Sequence, residues 1–99
     1  MDFDSFRKSV TATAPPADLD LAQQALWWDA KGDWDKAHQL ADKRHDASGS
    51  WVHAYLHRKE GDQGNAGYWY RRAGKPVPSR TSLDAEWTAI AKTLIGGGS

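Results

Sequence analysis

Ninety-nine residues with thirteen basic side chains, thirteen acidic ones and no cysteine bound a single domain with one core. A formal net charge of zero gives no electrostatic footprint for nucleic acid, an anionic membrane or an acidic substrate. The lack of cysteine excludes disulfides, thiolate nucleophiles and Cys-based zinc sites. No apolar run reaches the roughly 20 residues of a membrane span, and Met1-Asp2-Phe3-Asp4 lacks the basic and apolar regions of a secretory signal. A cytoplasmic protein without nucleic-acid or membrane partners is the expectation.

Six tryptophans carry large burial area and are expected to build much of the core. Phe3, Phe6 and Val10 stand at i, i+3 and i+7, which predicts a short N-terminal helix. Pro15-Pro16 then forces an extended connector. Asp18 is the expected N-cap of a helix over about 19–31, with Asp20 a second carboxylate in its positive first turn. Its apolar set, Leu21, Ala22, Ala25, Leu26, Trp27 and Trp28 among others, is too broad for one contact and predicts packing on two sides.

Gly32 closes that helix and Asp33 caps the next. Trp34, Ala37, Leu40 and Ala41 mark one face of a second helix ending near Lys43-Arg44. The short turn between the two predicts antiparallel neighbours. His45 to Gly49 reads as a polar connector, with Ser50 capping a third helix that stops at Gly61. Asp62 caps a fourth, on which Ala66, Trp69, Tyr70 and Ala73 hold i, i+3, i+4, i+7 spacing. Arg71 and Arg72 meet its negative end and Gly74 closes it. A last helix starts at Thr81 or Ser82 and places Leu83, Trp87, Ile90, Ala91, Leu94 and Ile95 on one face as a cap over the second pair. No segment shows β-branched residues at period two, so strands are not expected. The expected domain covers 1–95, with helix pairs over about 19–43 and 50–74, a capping helix over about 82–95 and a flexible Gly/Ser tail over 96–99.

Gly32-Asp33-x3-Ala37 recurs as Gly61-Asp62-x3-Ala66, 29 residues later. On these residues the chain resembles the tetratricopeptide repeat: Trp28-Asp29-Ala30-Lys31-Gly32-Asp33-Trp34-Asp35-Lys36-Ala37 is similar to its centre. Ala66 to Ala73, with Trp69-Tyr70 between them, is similar to the end of the related Sel-type repeats. The Ala-Leu-Trp-Trp-Asp-Ala and Tyr-Trp-Tyr-Arg-Arg-Ala-Gly-Lys-Pro segments also resemble those of small bacterial proteins of unassigned activity. The copies are closer than the usual 34 residues, and two stand where about three are normally needed. The resemblance implies an all-α fold of two helical hairpins that binds a protein or peptide without catalysis. By position it implies a surface including Ala22, Leu26 and Asp29 of the first hairpin and Trp51, Tyr55 and Arg58 of the second. Self-association competes with that reading, because a two-repeat unit presents an uncovered apolar flank.

His53 and His57 stand at i, i+4 on one helix, a spacing that can place two imidazoles on one metal ion. Ala54 follows the first histidine where a metalloprotease motif needs Glu, and the sequence places no further ligand beside them. A small-ligand or metal site at His53 and His57 is therefore the alternative reading, and imidazoles that diverge or pack into the core would exclude it. Tyr68 to Lys75 interleaves aromatics with cations as single-strand binders do, but Trp69 and Tyr70 belong to the core stripe. No nucleophile–base or phosphate-loop motif is present, so neither enzyme activity nor a cofactor is expected.

Overall fold

Aspartates start five of the six helices. Asp2, Asp20, Asp33, Asp46 and Asp62 each accept a hydrogen bond from the backbone N–H three residues on, satisfying a donor that the first turn would otherwise leave unpaired. The computed structural model describes residues 1–95; residues 96–99, read above as a tail, lie outside the described residues. The helices are α1 (Phe3–Ser9), α2 (Leu21–Ala30), α3 (Trp34–Asp42), α4 (Ala47–Glu60), α5 (Gln63–Ala73) and α6 (Leu83–Ile95). The fold is all-helical, with no strand among the described residues, and no helix is long and apolar enough to cross a membrane.

Two helix starts differ from the sequence-based expectation. The cap of α2 is Asp20, not Asp18: Asp20 and Gln23 satisfy each other's backbone N–H groups at 2.8 and 3.0 Å, a reciprocal capping box. The cap of α4 is Asp46, not Ser50. Asp46 accepts from the Gly49 N–H at 2.9 Å, so Ala47 to Gly49 form a first turn and not a connector. Ser50 is buried inside the helix, and its hydroxyl oxygen has no hydrogen-bond partner. At Gly49 an added Cβ would lie 2.1 Å from the Arg44 carbonyl oxygen. The residue that disguised the helix start is the one that lets the chain enter it.

α2 packs on α3 and α4 on α5, and α4 also packs on α2, α3 and α6. Only α1, which packs on α6, stays clear of it. Encirclement explains why Val52 through His57 are all buried: a helix covered on every side has no exposed stripe. The main core joins Phe6, Leu26, Trp27, Val52, Tyr55, Leu56 and Ile90. Indole N–H groups tie its edges, Trp27 to Ser9 Oγ at 3.1 Å, Trp34 to the Leu56 carbonyl at 2.9 Å and Trp87 to the Leu26 carbonyl at 3.1 Å. A smaller cluster of Ala54, Ala66 and Tyr70 seals α4 to α5. α6 and α1 close over the body through Phe6 stacked on Trp87, ring centroids 5.8 Å apart.

Candidate metal centre

His53 and His57 lie one turn apart on α4 and present stacked rings, centroids 4.9 Å apart. They do not diverge. Both face His38 of α3, whose ring meets them edge-on at 4.6 and 5.2 Å. His53 Nε2 and His38 Nε2 are 2.9 Å apart, a hydrogen bond in which one imidazole donates and the other accepts. One ring nitrogen of each of the three lies within 4.8 Å of the others.

One outer nitrogen meets a carboxylate. His57 Nδ1 is 2.7 Å from Glu60 Oε1, which leaves Nε2 for the cluster. His53 Nδ1 stands 4.0 Å from Asp42 Oδ1, beyond hydrogen-bond reach, and its Nε2 turns inward to His38. A carboxylate behind a histidine fixes the tautomer and raises the basicity of the nitrogen in front. Two indoles hold the rings in place. Trp34 stacks on His38 with centroids 4.9 Å apart, and Trp69 of α5 stacks on His53 at 4.0 Å. His53 is 3 % exposed and His57 9 %, but their neighbours are imidazole and indole faces, with His38, Trp34 and Trp69 only half-buried.

Burial, followed by the neighbouring His38 and His57, depresses the His53 pKa to about 4. At neutral pH this imidazole is uncharged, and its Nε2 shares one proton with His38 Nε2. Three imidazoles supply ligand chemistry suited to zinc, nickel or copper, and leave a position for an oxygen ligand. A second grouping, His57, Glu60 and Asp62, shares His57 and reaches the surface, where Asp62 already caps α5.

The residues expected to form a docking surface are placed differently. Leu26 is fully enclosed and Tyr55 is 2 % exposed, because α2 and α4 face each other and α6 covers them both. Asp29, 4 % exposed, accepts a hydrogen bond from the Lys59 ammonium at 2.8 Å. Arg58 holds Glu86 of α6 at 2.7 Å and donates to the Thr81 carbonyl. Trp51 and Arg58 are half-buried, with the Lys75 ammonium 4.3 Å from the Trp51 ring centroid. The five do not form one exposed apolar face in the monomer.

Spacing along the sequence does not bring His38 to the His53–His57 pair. The signal for His38 is the series Trp34, His38, Asp42 at i, i+4 and i+8, which puts an aromatic, an imidazole and a carboxylate on one edge of α3. Comparison with protein-family models, with characterised proteins and with solved structures gives no match.

Proposed function

We propose that this chain binds a divalent first-row metal ion, zinc being the type, through His38, His53 and His57. The observation that carries the reading is the convergence of three imidazole nitrogens from two helices within one 4.8 Å envelope. A tetrahedral zinc site with metal–nitrogen bonds near 2.05 Å needs ligand nitrogens about 3.4 Å apart. The 2.9 Å between His38 and His53 opens to that separation by a small ring rotation, with the proton they share displaced. Glu60 orients His57 from behind. The ion would join α3 to α4, the junction between the two helix pairs, and so couple metal occupancy to the packing of the whole domain.

Isothermal titration of the tag-free chain with zinc chloride tests this. One ion per chain is expected, with His38→Gln and His53→Gln each weakening binding by more than ten-fold, since each removes a ligand, and Glu60→Gln by roughly ten-fold. Cobalt in place of zinc should give the visible absorption of a tetrahedral site. Equal zinc uptake by the wild type and by a variant lacking all three histidines would show that the imidazoles form only a structural network.

A further inference from the structure

Tyr55 and Lys59 lie two residues beyond His53 and His57 and therefore project from the opposite face of α4. There α1, α2, α4 and α6 border an open cleft of about 380 Å³, lined by Arg7, Asp29, Tyr55, Lys59, Asp84 and Trp87 among others. That volume suits a small molecule.

The lining groups divide by what already satisfies them. The buried Asp29 carboxylate is compensated by Lys59 at 2.8 Å. The Trp87 indole N–H is committed to the Leu26 carbonyl, so Trp87 offers the cleft its ring. The Tyr55 phenol is pushed well above its ordinary pKa, by burial first and then by Asp29, and stays a neutral hydroxyl. Two charges remain without a side-chain partner among the described residues. Arg7 on α1 and Asp84 in the first turn of α6 form no ion pair or side-chain hydrogen bond, with each other or elsewhere. They are both exposed and both line this one cleft.

A simple anion entering here meets Asp29 and Asp84, and a simple cation meets Arg7 and Lys59. A ligand carrying both signs, separated by a short skeleton, answers Arg7 and Asp84 together and leaves the Asp29–Lys59 pair intact. Its apolar part would lie against the Trp87 and Tyr55 rings. We infer that the cleft binds a small zwitterion, an apolar α-amino acid being the type, with its carboxylate on Arg7 and its ammonium on Asp84. The site is separate from the histidine cluster and does not depend on it.

Titration of the ¹⁵N-labelled chain with L-leucine and L-phenylalanine, followed at the Trp87 indole N–H, tests the inference. At least one should give a saturable shift. Its N-acetyl derivative, without the ammonium, and its amide, without the carboxylate, should each bind at least five-fold more weakly, since each loses one charge-assisted contact. Arg7→Gln and Asp84→Asn, substitutions at exposed positions, should weaken the free amino acid to a similar degree. Arg7→Gln should leave the amide unaffected, and Asp84→Asn the N-acetyl derivative. No saturable shift with either amino acid, or equal binding of the singly charged derivatives, overturns it.

Discussion

The phenol of Tyr70 donates a 2.5 Å hydrogen bond to Glu86 Oε2, joining α5 to α6. Arg58 of α4 takes the other carboxylate oxygen at 2.7 Å, so one carboxylate that is 4 % exposed ties three helices together. Burial and the Glu86 hydrogen bond raise the Tyr70 pKa well above its ordinary value, which keeps the donor proton in place. Glu86→Ala strands a largely buried guanidinium and a phenol, and is expected to cost about 3–5 kcal/mol. Tyr70→Phe removes a donor but leaves the Arg58 pair, and is expected to cost about 1–3 kcal/mol. Urea denaturation of both variants and of the double variant checks this. Costs that simply add would show that the two residues are not coupled.

Gly49 and Gly64 make a matched pair for a second prediction. Both lie in the first turns of helices. A Cβ at Gly49 strikes the Arg44 carbonyl and side chain at 2.1 and 2.6 Å, whereas one at Gly64 meets nothing within 4 Å. Gly49→Ala should destabilise by about 3 kcal/mol, at the upper end for overpacking because backbone is struck. Gly64→Ala should stabilise by roughly 0.5–1 kcal/mol, from the lower entropy of the unfolded chain. Thermal denaturation of each variant decides both signs. A tolerated Gly49→Ala would mean that the entry to α4 is not constrained as described.

This contrast bears on how far the fold was legible. Helix ends marked by glycine were readable: Gly32, Gly61 and Gly74 all take positive φ, and after the first two Asp33 and Asp62 cap the helices that follow. The start of α4 was not, because Ser-Gly-Ser has the composition of a loop and only the Asp46 cap and the Arg44 approach make it helical. The i, i+4 histidines of α4 were legible as a pair. Their third member was hidden because His38 reaches them through the packing of α3 on α4, which no spacing within one helix encodes. The sequence places Leu26 and Tyr55 on a surface because the encirclement of α4, which buries them, is likewise a tertiary fact.

The His53 pKa gives the metal-free chain a defined pH dependence. Its folded value, about 4, lies below the ordinary 6.5. Above pH 6.5 neither state binds the proton; as pH falls from 6.5 towards 4 only the unfolded chain does, so stability is lost across that window. His38, His57 and His45 oppose protonation and Asp42 favours it. The caps act lower: Asp2, Asp46 and Asp62 have carboxyls held below 3.8, with the backbone or side-chain hydrogen bond at the helix start as the leading cause. Their contribution is present above 3.8 and lost as pH falls through the depressed values. Denaturation midpoints in the presence of chelator should therefore fall in two steps. His53→Phe should remove most of the upper step and leave the acid one; an unchanged upper step would assign it to another group.

Metal occupancy should be visible as stability as well as affinity. A ligand present at a hundred times its dissociation constant, and bound only by the folded chain, stabilises by about 2.7 kcal/mol. For a domain of 99 residues that corresponds to a rise in Tm of roughly 10 °C or more. Because His38 belongs to α3 and the other two histidines to α4, the gain requires ligands from both helices. Zinc should raise the wild-type Tm by that order, and chelator should reverse it. His38→Gln should abolish most of the rise, even though His53 and His57 still form an i, i+4 pair. Trp69, stacked on His53 at 4.0 Å, provides a local check: copper should quench part of the tryptophan fluorescence of the Trp34→Phe variant, and that quenched part should be lost when Trp69→Phe is added. An equal Tm rise in His38→Gln would place the ion on α4 alone and dissolve the three-histidine site.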